Sequence, residues 1–458
     1  MRLLDVILCG LTLIATAVAA PVYAAWLGAW VIGARLTAPP RSGRRALLVL
    51  SEASHFAELE QAGLLPLFEE WRLDGYFSHL YLAVFHAPRR RWHRVSEGFT
   101  VIDLAKRGRW LKQTGLPRTY AAVNAVALAV GVLGLRRLAW REAAVIRACN
   151  PHHMGLLGLV LGRLTGRPHC VSIHSDNPTY YRQWNAQGRW ANSQAALFGS
   201  RRLTLALMQA VYRWAPEVWI IRESFRQEAL RCGASSERIR LFPHSSRIRE
   251  LPASDAAAWR AAHDVGPRPL IVAVGRLAVE NFIDDVPRLA AALARRTPEA
   301  VLVLVGDGPE RARVQATAVA QGLTAIRWVG WQPNTAVRQW QAAADVNLCL
   351  RGGYSLIEAA AAGRPVVAYD TDWHHELVQT GETGALVPVG DAEAAAEAIA
   401  RLLAHPAEAA RQGAKARALA LARHDHAVVT PVKQRLYDEL SREPRATASA
   451  VAAAWSGG

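Results

Sequence analysis

Cysteine is scarce in this 458-residue chain: Cys9, Cys149, Cys170, Cys232 and Cys349 stand far apart, and no two form a C-x-x-C pair. So odd and scattered a set argues against a disulfide framework and against a structural zinc site, and points to a reducing compartment. Acid is also in short supply, with 38 Asp and Glu against 54 Lys and Arg, a formal net charge of +16. Such a balance favours anionic partners, and charge alone leaves nucleic acid, anionic lipid and phosphorylated substrates open. No nucleic-acid module is recognisable, so nucleic acid is not expected as a partner. No repeat of 20 to 50 residues appears. A dinucleotide fingerprint is lacking too, because the turn Gly306-x-Gly308 has no third glycine.

Charge itself is missing from Val6 to Ala34, a run long enough to cross a hydrocarbon core of roughly 30 Å. The competing reading is a cleaved signal peptide, since Ala17-Val18-Ala19 resembles a cleavage site. The apolar run continues to Trp30 and Ile32, however, which favours a transmembrane anchor over 1–37. Arg35, Arg41, Arg44 and Arg45 follow the run, and the short N-terminal flank holds only Arg2 against Asp5. The positive-inside bias then predicts a single-pass protein of the cytoplasmic membrane with its globular part in the cytoplasm.

What is present has a βα rhythm. Short apolar runs at 46–51, 79–85, 100–104, 144–148 and 170–174 alternate with helical spacing, and a second series follows at 270–275, 300–306, 326–330, 346–350 and 365–369. The expected fold is α/β, with two facing Rossmann-like doubly wound lobes over 38–260 and 261–425 and a cleft between them. A C-terminal helix over 426–441 and a loose tail over 442–458 complete the chain. The uncharged stretch from Tyr120 to Leu135, flanked by Arg118, Arg136 and Arg137, reads as a core helix or as a helix on a membrane surface, with the core favoured.

Arg351-Gly352-Gly353-Tyr354-Ser355-Leu356-Ile357-Glu358 follows a strand and opens a helix. Two glycines allow close backbone approach, and the first N–H groups of a helix attract an anion such as pyrophosphate. The same letters also read as a Ser355-x-x-Glu358 capping box with no ligand role.

The stretch from Leu270 to Pro388 resembles the donor lobe of family 4 retaining glycosyltransferases of GT-B fold. Val274-Gly275-Arg276-Leu277, Gly306-Asp307-Gly308-Pro309-Glu310 and Ser355 to Ala368 carry the resemblance, and Asp370 to Gly384, with Trp373 and Glu376, extends it. The N-terminal half is less alike, and Ser51-Glu52-Ala53-Ser54-His55 stands where family members often have a glycine-rich loop. The resemblance implies a nucleotide-sugar donor used as substrate, a saccharide or lipid-linked acceptor, a membrane as partner, and no cofactor or metal. It implies donor contacts at Gly275, Arg276, Asn281, Arg351, Gly352, Gly353, Tyr354, Ser355, Leu356 and Glu358, with His174, Asp176 and Glu358 as catalytic candidates. Two departures stand out: Asn281 occupies the place of a phosphate-neutralising lysine and Leu350 that of a sugar-contacting glutamate. Arg351 is the expected substitute for the lysine. With both losses, a catalytically silent nucleotide-sugar binder or assembly subunit is the rival reading.

Overall fold

The computed structural model describes residues 45–107, 113–174, 201–248 and 255–442, with positions 4, 6–8, 10 and 11 near the N-terminus. Most of the expected anchor, Asp176 and the tail beyond 442 lie outside the described residues. The chain forms two compact units, one comprising Met1–Phe242 and Val432–Gly458, the other Pro243–Pro431.

The first unit is built on an eight-stranded sheet. Its strands are β1 (Ala46–Ser51), β2 (His79–Ala87), β3 (Arg91–Ser96), β4 (Phe99–Ala105), β5 (Ala143–Cys149), β6 (His169–Ile173), β7 (Val218–Ile220) and β8 (Ile239–Leu241), in the order β3-β4-β2-β1-β5-β6-β7-β8. Every pairing is parallel except β3 with β4. β1 is buried along its whole length, as a central strand covered on both faces must be. β3, by contrast, carries Arg91 and Arg94 at the sheet edge, where charge discourages pairing with another chain.

The second unit holds β9 (Leu270–Val274), β10 (Val301–Val305), β11 (Ile326–Gly330), β12 (Val346–Cys349), β13 (Val366–Tyr369) and β14 (Gly384–Val387). All pairings are parallel, in the order β11-β10-β9-β12-β13-β14. This is the doubly wound order whose direction reverses between the first and fourth strands, here β9 and β12. Ligands of such sheets sit outside the carboxyl ends at that reversal.

The units divide between Phe242 and Pro243 rather than near 260, and the packing explains why. Phe242 stacks on Trp219 with ring centroids 4.8 Å apart. The helix Ala256–Ala262 instead joins the second unit: Trp259 lies edge-on to Trp340 at 5.7 Å, and Arg260 donates to Asp345 at 2.6 Å. The helix expected over 426–441 spans His426–Arg442 and contains Pro431, where the contact division also falls. Its last turns return to the first unit, where Tyr437 OH receives a hydrogen bond from Arg147 at 2.9 Å.

Candidate donor site and a second polar cluster

Arg276 follows β9 at the reversal point. It is exposed, and its guanidinium makes no hydrogen bond or ion pair among the described residues. Asn281 is not idle in the place of the expected lysine: its amide donates to the Arg276 carbonyl at 2.8 Å and so fixes the backbone that presents the arginine. The turn Gly306 to Glu310 braces the same loop. Leu277 N donates to Asp307 O at 3.0 Å and Glu310 N to Leu277 O at 3.1 Å. Gly306 has φ +140°, and a Cβ there would stand 2.0 Å from Gly275 O, so only glycine allows this approach.

On the other side of the reversal, β12 ends at Cys349 and the helix Tyr354–Ala361 begins with Gly353 as its N-cap. Gly352 is spoken for. Its N–H donates to His374 Nε2 at 3.0 Å and its carbonyl accepts from Trp373 Nε1 at 3.0 Å, while His374 Nδ1 lies 2.8 Å from Tyr369 O. A ligand therefore cannot use the Gly352 amide as expected, and the first helical turn beyond it is the anion-facing part. The need for glycine at 352 is steric: a Cβ would lie 2.3 Å from Cys349 Sγ. Leu356 likewise leaves the set of donor contacts, because its side chain is fully buried in the apolar cluster under the helix.

Arg351 does not stand free for phosphate. Its Nε donates to Asp372 at 2.9 Å and its Nη1 to the Glu280 carbonyl at 3.0 Å, tying the β12 exit to the loops after β9 and β13. Asp372 holds a positive φ of 52°, a cost that this ion pair offsets.

The capping box is absent: no side chain caps the helix, and the Glu358 carboxylate turns elsewhere. Its Oε1 accepts from Asn334 Nδ2 at 3.0 Å and from Arg338 Nε at 3.3 Å, both on the helix Asn334–Ala343. Oε2 accepts nothing among the described residues. Glu358 is 7% exposed, and this open oxygen keeps the capacity to accept a ligand hydroxyl. The other two expected contacts sit nearby: Tyr354 OH lies 2.9 Å from His244 Nδ1, and the Ser355 carbonyl accepts from Gln341 at 3.0 Å.

The first unit has its own polar cluster at the carboxyl ends of β1, β5 and β6. Asn150, with φ +65°, is the joint: its amide donates to Glu52 Oε2 at 3.2 Å and its Oδ1 accepts from His174 N at 3.0 Å. Asparagine tolerates this left-handed backbone better than most residues. Glu52 also meets His152 Nδ1 at 2.9 Å. Burial pushes the Glu52 carboxyl up, but the His152 and His153 charges and the hydrogen bonds outweigh it, leaving a value of about 2. His174 Nε2 faces Ser172 Oγ at 2.9 Å. Burial, reinforced by the Arg147, Lys433 and Arg222 charges, pushes its imidazole down to about 3. His174 is thus a neutral hydrogen-bond partner at physiological pH, too weak a base for proton abstraction. Deeper, Arg147 is 1% exposed and lies 4.3 Å from the Trp71 centroid, and its Nε and Nη2 have no hydrogen-bond partner among the described residues.

An open cavity of about 950 Å³, lined in part by Glu69, Arg72, His79, Arg94 and Thr100, lies at the amino ends of β2 and β4. That is the edge opposite the one at which such sheets bind ligands.

The two parallel doubly wound sheets define a GT-B-like α/β protein, and solved structures share the architecture. Sucrose-phosphate synthase from Thermosynechococcus elongatus superposes with a TM-score of 0.69 at 21% identity, over 87% of this chain and 99% of that one. HepE from Anabaena, in complex with UDP and glucose, gives 0.65 at 16% identity over 87% and 100%. Residues 255–419 match the family model described as Glycosyl transferases group 1. A GDP-mannose-dependent alpha-(1-6)-phosphatidylinositol monomannoside mannosyltransferase of Mycolicibacterium smegmatis is 33% identical over 205 residues, 41% of this chain and 53% of that protein. The match thus spans about half the length of that relative. The match to the glycosyl transferases group 1 model lies within the second unit.

Proposed function

We propose that the protein is a retaining family 4 glycosyltransferase that moves a sugar from a nucleoside diphosphate sugar to a saccharide or lipid-linked acceptor in cell-envelope glycan synthesis, at the cytoplasmic face of a membrane. The observation that carries the reading is the reversal point of the second sheet. There an unpaired arginine, Arg276, leaves one strand and a helix N-terminus leaves the other. A diphosphate between them meets a full positive charge and the positive end of a helix dipole. The open Oε2 of Glu358 then accepts a hydroxyl of the donor, where an ionised acceptor gives a strong hydrogen bond.

Charge developing on the departing diphosphate falls to Arg276 and the helix amides, which stand ready without reorganisation; no metal is invoked, and turnover is expected to persist in EDTA. The relatives support a nucleotide-sugar donor, since the M. smegmatis protein is named as GDP-mannose-dependent and the HepE structure holds UDP. The strand-exit cluster with neutral His174 is the proposed acceptor side, with His174 positioning a hydroxyl. Incubating the protein with UDP- and GDP-sugars and following donor consumption, with NMR of the product anomer, tests the whole statement. Donor turnover with retention supports it.

One observation favours a second reading, a silent binder: Arg351 is tied to Asp372 and does not stand in for the missing lysine. Binding without turnover across the donor panel selects it.

A further inference from the structure

The open cavity at the amino ends of β2 and β4 belongs neither to the donor site nor to the strand-exit cluster. Tyr81 on β2, Thr100 on β4 and Arg94 on β3 are register partners, so their side chains share one face of the sheet. His79 and Trp92, two residues along their strands, point the same way. The helix Pro117–Leu133, expected to pack on the core, covers the carboxyl-end part of this face with Leu128 and Val132, fully buried in one cluster with Ile102 and Leu104. The cavity takes the amino-end part.

Aromatic rings and polar groups meet there. The His79 and Tyr81 ring centroids are 4.3 Å apart, and Trp92, 49% exposed, stands edge-on to Tyr81 at 6.4 Å. The Tyr81 hydroxyl donates to Glu142 and His79 Nε2 lies 2.9 Å from Thr100 Oγ1, which fixes both rings. Glu69 accepts from Ser96 Oγ at 2.6 Å, and Arg72 donates to the Phe77 and Ser78 carbonyls at 3.4 Å. Glycine at 98 makes room for that arginine, since a Cβ would stand 2.2 Å from its Cζ. Arg94 and Glu97 are exposed and make no ion pair among the described residues. The described lining thus holds two arginines and two glutamates, an even balance in a chain of formal charge +16.

We propose that this cavity binds a neutral oligosaccharide, as an accessory site remote from the reacting end of the sheet. Aromatic rings take the apolar C–H faces of sugars, and charged groups of both signs give strong hydrogen bonds to hydroxyls. A phosphorylated ligand would meet Glu69 and Glu97, and a cationic one Arg72 and Arg94; an uncharged polyol uses both pairs. The volume of about 950 Å³ stands at the top of the range for small-molecule sites, roughly 300–1,000 Å³, and has room for more than one sugar ring. The Glu52–Asn150–His174 cluster lies at the other end of β1, whose six residues span roughly 20 Å, so a sugar held here is not the reacting one. The proposal extends the saccharide-acceptor reading and rests on it, but its test reads binding without a donor.

Calorimetric titration of the full chain uses maltohexaose, mannohexaose, galactohexaose and chitohexaose as probes. At least one binds, and Trp92→Ala and Arg94→Ala, both surface changes, each weaken it about tenfold or more. Gly98→Ala, which displaces Arg72, weakens it several-fold. Trp331→Ala, at a 54% exposed tryptophan of the second unit, and Arg276→Ala leave it within about twofold, and inorganic phosphate does not compete. The proposal is overturned if none of the four probes binds, if affinity survives Trp92→Ala and Arg94→Ala together, or if phosphate displaces the saccharide. Donor turnover by a protein that binds no probe sinks this site alone, whereas probe binding without donor turnover sinks the transfer reading and leaves the site standing.

Discussion

Glu358 separates a ligand role from a structural one. Its Oε1 is taken by Asn334 and Arg338, so Glu358→Gln weakens both the internal contact and the proposed ligand bond. With loss of a charge-assisted hydrogen bond valued at about 1.5–3 kcal/mol, nucleotide-sugar affinity should fall at least tenfold. Adding Asn334→Ala tests the partition: it removes an internal partner and lowers stability, but leaves Oε2 in place and affinity within a few-fold. Arg351 is the opposite case. Because its donors hold Asp372 and Glu280 O, Arg351→Ala should lower unfolding free energy by about 1–3 kcal/mol and alter nucleoside diphosphate affinity less than Arg276→Ala does. Denaturant titration and calorimetry on both variants measure the contrast.

At the scale of elements, the C-terminal helix brings Lys433 into the first unit, 4.9 Å from the Phe242 ring centroid. Burial first, then the Arg147 charge, pushes its ammonium down from 10.5 to about 7. Between those values the unfolded chain holds a proton that the folded chain has released, so stability rises with pH from about 7 toward 10.5. Lys433→Met should flatten that rise, which denaturant midpoints on either side of the window would reveal. The Gly352 junction gives a second element-scale prediction. Gly352→Ala puts a methyl 2.3 Å from Cys349 Sγ and 2.8 Å from Leu356 Cβ. Overpacking of this kind costs about 1–3 kcal/mol, and the displaced helix start should weaken diphosphate binding in the same preparation.

Taken whole, the chain was legible where apolar runs are continuous and both faces of a strand are covered. The run at 46–51 matches β1, and 270–275 and 346–350 overrun β9 and β12 by one residue each. β3 was missed because Arg91, His93 and Arg94 break any apolar pattern on an edge strand, and β7 and β8 because three residues carry no period. The donor segment was found by its glycines and the helix that follows, but its internal wiring was not. Trp373 and His374 hold Gly352 from 21 and 22 residues away, and Asn334 reaches Glu358 across 24. No local spacing encodes such contacts. The Glu52–Asn150–His174 cluster was equally hidden, since it assembles from three strand exits about 20 to 100 residues apart.

The central claim is that the carboxyl-end reversal of the second sheet binds the diphosphate of a sugar nucleotide. Calorimetric titration of wild type, Arg276→Ala and Glu358→Gln with UDP, GDP and the corresponding nucleosides tests it most directly. The account predicts that at least one nucleoside diphosphate binds the wild type, that Arg276→Ala weakens it tenfold or more while barely changing nucleoside binding, and that Glu358→Gln weakens both ligands. Failure of the wild type to bind either diphosphate, or diphosphate affinity in Arg276→Ala within twofold of wild type, would contradict it.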